Sequence, residues 1–337
     1  MSGPAVPEPG HPVLGGGVMG ADDYAVFLGR EYLTDYVPSG GGSVKVSVIG
    51  HAEVADRFAR QLSSVAGDHD CLFASVSAET VKVHLVDQLF FAVSRQVDWE
   101  QLAAAVVRSA YDAISVPASG SLVVADVAAA HDLDAAELYR SVRRQLEHTL
   151  LADVTLARDM RRAFLRLAQV HLGSGDTHAA EAHVVLDWLH GERVGLRELR
   201  EAMIYTRIGR HNGRAMLSSL GRLLLRAGRG GMVVHLDLTR LAEARRPPLA
   251  ERTGIYYSKM AVLDTYEVLR QLIDATDDLP GLLVLAVVPP ELVSDETRGL
   301  PAYSALQLRI ADEVRDRRRA NPFATLIRLE VRLEAVR

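Results

Sequence analysis

Gly50-His51-Ala52-Glu53-Val54-Ala55-Asp56-Arg57 stand directly behind the short β-branched run VKVSVI (44–49) and in front of a helical pattern. A strand that ends in glycine and opens a helix is where a G-x-x-x-x-G-K-[ST] loop holds phosphate. Backbone N–H groups and the helix dipole face the anion, the lysine neutralises the β/γ charge, and the hydroxyl binds magnesium. Aligned on Gly50, the second glycine is Ala55, the lysine is Asp56 and the Ser/Thr is Arg57. Ala55 adds a Cβ where that loop uses glycine freedom, and Asp56 sets a carboxylate where a triphosphate requires a cation. Glu53 adds another negative charge. Lys45, Lys82 and Lys259 are the only lysines; Lys45 lies within the strand, and Lys82 and Lys259 follow no glycine-rich turn. The spacing predicts a degenerate nucleotide-binding loop, so no cofactor is expected and ATP binding is itself in question.

The second chemical signal is Met232-Val233-Val234-His235-Leu236-Asp237-Leu238. Where an apolar strand ends in Asp-Glu, the aspartate holds magnesium through water and the glutamate activates the attacking water. Here Asp237 is present and Leu238 replaces the glutamate. An aspartate alone at a strand end also serves as a helix cap or loop acceptor. The twelve histidines form no H-E-x-x-H and no close His/carboxylate pair at ligand spacing, so no metal site is predicted. The single cysteine, Cys71, excludes an internal disulfide and a cysteine zinc site; it reads as a small core residue in a reducing cytoplasm.

The elements that must position these residues follow from periodicity. Residues 1–21 are rich in Gly and Pro and read as a disordered tail, with folding starting near Asp22. DDYAVFLGREYLTDY carries helical spacing and stops at VPSGGGS. VKVSVIG is then a buried strand, HAEVADRFARQLSSVAG a helix with Val54, Phe58, Leu62 and Val65 on one face, and CLFASVS a second strand. This βαβ start predicts an α/β fold with a parallel sheet. Residues 22–118 form the first part of that core, and 119–229, helical almost throughout, read as an insertion. Residues 230–337 complete the core with GMVVHLDL, a long helix through MAVLDTYEVLRQLIDAT, LLVLAVV, a further helix and the strand TLIRLEVRLEAV. The 337 residues carry 38 basic against 43 acidic side chains, a net charge of −5, so no global cationic field attracts nucleic acid or membrane. No apolar run reaches the length of a membrane span, and a cytoplasmic location is expected.

With those motifs in view, the sequence resembles the AAA-like P-loop ATP-binding proteins of BREX-type phage-defence islands. The matching stretches are REYLTDYVPSGGGSVKVSVIG, LRELREAMIYTRIGRHNGRAMLSSLGRLLLRAGRGGMVVHLDL and YEVLRQLIDATDDLPGLLVLAVVPPELVSDETRGLPAYSALQLRI, spanning about Tyr24 to Ile310. The resemblance implies a P-loop NTPase sheet with a large helical insertion. It also makes Arg298 and Arg309, by position, candidates for an arginine finger or subunit interface. Combined with the altered loop, it implies a catalytically inactive subunit, a scaffold or regulator working with an active ATPase or helicase paralogue, or with further copies of itself. The setting would be bacterial defence or DNA processing, with DNA contacted through the complex.

Two other readings stay open. One is an unconventional ATPase using Arg57 and Asp237. The other is a DNA-binding adaptor using two arginine-rich regions: Arg207, Arg210, Arg214, Arg222, Arg226 and Arg229 along one helix, and Arg315, Arg317, Arg318, Arg319, Arg328 and Arg332 near the end. Asp312, Glu313, Asp316, Glu330 and Glu334 dilute the second field.

Overall fold

A computed structural model describes residues 18–173, 176–311 and 320–330. Its centre is one six-stranded sheet: β1 (Val18–Gly20), β2 (Gly42–Ile49), β3 (Leu72–Ser77), β4 (Met232–Asp237), β5 (Leu282–Val288) and β6 (Leu326–Glu330), in the order β1-β6-β2-β5-β4-β3. Every neighbouring pair is parallel. Strands covered on both faces carry nearly continuous apolar sequence, and all seven residues of β5, LLVLAVV, are buried. This is the doubly wound sheet of a P-loop NTPase-like fold.

Helices α1 (Ala21–Leu28) and α2 (Ala52–Asp68) cover one face, where Tyr24, Leu28, Phe58 and Leu62 pack on Val233, Leu285, Val287 and Ile327. Val54, Phe58, Leu62 and Val65 are all buried, as their spacing predicts. A π-helical turn, Gly29–Leu33, extends α1. The other face carries the long excursion between β3 and β4: α3 (Val86–Ser94), α4 (Trp99–Ala113), α5 (Val124–Ala130), α6 (Ala135–Leu151), α7 (Arg158–Val170), α8 (Asp176–His190), α9 (Leu196–Glu201) and α10 (Gly213–Arg226). Buried residues of these helices join Val46, Val234 and Val284 of the sheet in one hydrophobic cluster. The same cluster takes in α11 (Lys259–Asp274), α12 (Pro290–Ser294) and α13 (Ser304–Ile310). Among the described residues, no helix is long and apolar enough to cross a membrane.

Order begins earlier than the tail expected over 1–21. Val18, Met19 and Gly20 pair with Arg328, Leu329 and Glu330, and Ala21 is already buried in α1. Three residues are too short for a periodicity signal, and their partner strand lies at the far end of the chain. The remainder of that tail, 1–17, lies outside the described residues, as does 312–319 of the last helical pattern.

Connections leave β2 and its neighbour β5 on opposite faces, α2 on one and α12 on the other. A doubly wound sheet opens its crevice at such a switch point, beyond the carboxyl ends of the strands. Gly50 and Pro290 flank it, a Cβ built on Gly50 lying 3.5 Å from the Pro290 ring.

Candidate functional site

Between β2 and α2 the chain spends only two residues, Gly50 and His51, and the helix has begun by Ala52. The N–H groups of Val54 and Ala55 both close on the His51 carbonyl at 3.1 Å. Ala55, Asp56 and Arg57 therefore belong to the first two turns of α2 and not to a loop that could wrap a phosphate chain. Gly50 does not adopt a positive φ and meets only ordinary contact from Pro290, so the junction does not use the glycine conformation the motif requires. Arg57 turns to α1, where Nε donates to Asp22 Oδ1 at 3.0 Å and Nη2 to Asp22 Oδ2. Asp56 is exposed.

Asp237 sits at the end of β4 opposite Ser77 of β3. Its Oδ1 accepts from the Thr239 amide at 2.9 Å and the Thr239 hydroxyl at 2.7 Å, and its Oδ2 accepts from Ser77 Oγ at 3.2 Å. Oδ1 thus serves the turn that ends the strand, and Oδ2 ties it to the end of β3. Leu238 is fully buried, and its amide donates to the Val287 carbonyl at 2.8 Å. Two residues before Asp237 is a side chain the sequence did not single out. His235, 5% exposed, places Nδ1 3.1 Å from Ser75 Oγ and stacks on Phe73, while its Nε2 is buried without a hydrogen-bond partner. Burial holds its pKa below the usual histidine range, against the opposite pull of Asp237 and Asp56.

The arginines separate by what already occupies them. Arg298 is 8% exposed; its Nε donates to the Leu241 carbonyl and its Nη2 to the Tyr257 carbonyl, both at 2.8 Å. Such a group ties two points of its own chain together. Arg309, on α13, pairs with Asp274 of α11 and donates to the Ala305 carbonyl at 2.7 Å. Arg207 and Arg210 precede α10 and do not lie along it. Arg207 donates to the Val194 carbonyl, Arg226 to that of Thr149, and Arg229 pairs with Asp70. Arg328 lies within β6 opposite Val48, and Arg315, Arg317, Arg318, Arg319 and Arg332 lie outside the described residues. Cys71 is buried, with its thiol pushed up to about 11 mainly by that burial. Among the described residues no three His, Cys, Asp or Glu side chains gather as metal ligands.

A surface cavity of about 850 Å³ opens where the segments following β3 and β4 meet the start of α11. Lys82, Arg210 and Arg246 line it beside His84, Tyr256 and Ser258. Their separation along the chain hides this grouping from spacing arguments. The one usable signal is that lysine is nearly absent from the chain, and Lys82 and Lys259 both fall at this end of the molecule.

A family model for BREX system ATP-binding proteins BrxC/D matches residues 121–334, more than half of the chain. No curated protein and no solved structure matches it. The matched stretch holds most of the helical excursion, β4 with Asp237 and Leu238, β5, and the segment carrying Arg298 and Arg309. It leaves out the β2–α2 junction, so the REYLTDYVPSGGGSVKVSVIG part of the resemblance lies beyond it. On that match the chain belongs to the BREX system ATP-binding proteins and has its role in a BREX defence system.

Proposed function

We propose that this chain is a non-hydrolysing member of its family, a P-loop-fold subunit that positions or regulates an active ATPase or helicase of the same cytoplasmic assembly. The two-residue β2–α2 junction carries the proposal. Phosphate binding needs several convergent backbone N–H groups and a cation. This junction offers a helix start with Glu53 in its first turn, followed by Asp56. The candidates for an unconventional ATPase are both engaged elsewhere, Arg57 by Asp22 and Asp237 by Ser77 and Thr239. The ion pairs and carbonyl contacts of Arg226, Arg229 and Arg309 likewise argue against an open DNA-binding face. DNA is then reached through the assembly, and association with a paralogue or with further copies follows from the same reading.

The test is ATP turnover and Mg·ATP calorimetry on the intact protein, with Arg57→Ala and Asp237→Ala beside it. No turnover is expected, and no affinity that depends on Arg57. Turnover abolished by Asp237→Ala would overturn the proposal. Restoring the motif by Ala55→Gly, Asp56→Lys and Arg57→Thr together is expected to leave the junction unable to bind ATP, since the loop is too short and not only miscoloured in charge. Mass measurement with co-expressed neighbouring subunits tests the partner; a strict monomer that binds none of them counts against the scaffold role.

A further inference from the structure

The cavity beyond β3 and β4 combines three features that anion sites share. First, its cations outnumber its carboxylates. Lys82, Arg210 and Arg246 line it, each exposed and, among the described residues, without an ion pair, whereas the lining carboxylate, Glu243, is already paired with Arg240. Second, α11, sixteen residues long, starts at its wall. Ser258 caps the helix by accepting from the Ala261 amide, so the positive end of a full-length helix dipole faces the same space. Third, His84 lines the cavity with Nδ1 buried and without a hydrogen-bond partner, its ring edge-on to Tyr257 at 5.6 Å.

The field these groups make is visible at His84. Burial lowers its pKa first; Asp264, outside the lining, is the largest charge effect and raises it, Arg210 and Lys82 lower it, and Asp87, also outside the lining, raises it. Two of the cations therefore act on one point, although they come from different segments of the chain. The walls are fixed. Arg240 holds the loop by donating to the Ile255 and Thr253 carbonyls and lies 4.0 Å over the Tyr256 ring, and Tyr257 hydrogen-bonds the Val81 carbonyl. A volume of about 850 Å³ is in the range that takes a small organic ligand.

We infer that this cavity is a binding site for a phosphate-bearing ligand of nucleotide size, held by Lys82, Arg210 and Arg246 at the N-terminus of α11 and separate from the β2–α2 junction. The inference does not rest on loss of ATPase activity. It would hold equally for an active subunit.

Calorimetry of the intact protein with pyrophosphate tests it, with Lys82→Ala, Arg210→Ala and Arg246→Ala as single variants and exposed Arg143→Ala on α6 as the remote control. All four side chains are exposed, so unchanged melting is expected of each. Each cavity substitution is expected to weaken pyrophosphate about tenfold, the effect of losing one charge-assisted contact, and Arg143→Ala to leave it unchanged. A nucleoside diphosphate binding at least as tightly identifies the free nucleotide as the source of the phosphate. A single-stranded oligonucleotide that displaces pyrophosphate, and is weakened by the same three substitutions, identifies a strand's backbone. No binding at millimolar pyrophosphate, equal affinity in the three variants, or loss of binding on Arg57→Ala instead would overturn the assignment.

Discussion

Replacing Arg298 by alanine separates a structural strut from an arginine that serves a neighbour. The guanidinium donates to the Leu241 and Tyr257 carbonyls at 2.8 Å, and the hydroxyl of fully buried Tyr266 donates to the Arg298 carbonyl at 3.1 Å. Leu241 and Tyr257 stand at the two ends of the segment that walls the Lys82 cavity, so one side chain holds both ends of that wall. A hydrogen bond from a charged donor contributes about 1.5–3 kcal/mol, and an abandoned buried acceptor keeps its desolvation cost. Two such bonds put Arg298→Ala at about 3–5 kcal/mol of lost stability, short of simple doubling because neighbouring contacts are not additive. Arg298→Met, which fills much of the volume but donates nothing, is expected to recover less than half of that loss. Urea unfolding measures both. A loss below about 1 kcal/mol for alanine, or full recovery by methionine, would refute the hydrogen-bond argument. If Arg298 instead served only a partner, the isolated subunit would melt unchanged.

Other perturbations probe the frame around the site. Glu267 is held down to about 2, chiefly by its hydrogen bonds from Arg270, with Tyr303 and Gln271 adding to them. A carboxyl depressed in the folded state stabilises above its unfolded pKa and loses that contribution as pH falls through the folded one. The melting temperature should therefore fall between about pH 4.5 and about 2, and Glu267→Gln should flatten that part of the curve; an unchanged slope would count against the assignment. Gly221 of α10 lies under the turn into β5, where an added Cβ would stand 2.2 Å from the Pro280 carbonyl oxygen. Backbone cannot yield as a flexible side chain can, so Gly221→Ala should cost about 1–3 kcal/mol in urea unfolding, and a neutral result would show that α10 shifts freely.

What the sequence made legible is what depends on near neighbours. The apolar runs at β2, β4 and β5 and the four-residue face of α2 require only local periodicity, and each falls where its pattern places it. Asp237 as a strand-end acceptor was also within reach, because Thr239 completes its turn two residues on. The remainder depends on distance. Arg298 gives no sign in sequence of its bonds to residues 57 and 41 positions away. Lys45, set in a strand, gives none of donating to Phe323 and Ala324. The same holds for β1, whose three residues acquire a partner only when β6 arrives beside β2.

The position of the helix start is the case in which residue types and geometry part company. Read as types, Ala55, Asp56 and Arg57 describe a loop that kept its shape and lost its charges, a defect that substitution could reverse. Read as geometry, α2 begins at Ala52, and the carbonyl of His51 is already taken by two amides that a phosphate-binding turn would present outward. The helix contributes its dipole at that point but too few free donors, and the bidentate pair from Arg57 to Asp22 fixes its first turns against α1. Helix α2 is thereby packed as a structural element. Changing its charges alters the local potential, whereas recovering a phosphate cradle would require extra residues between Gly50 and Ala52 and release of that pair. The family match, which starts at residue 121, sets no requirement on this junction. Membership in an ATP-binding family is therefore compatible with the proposal that this junction holds no phosphate.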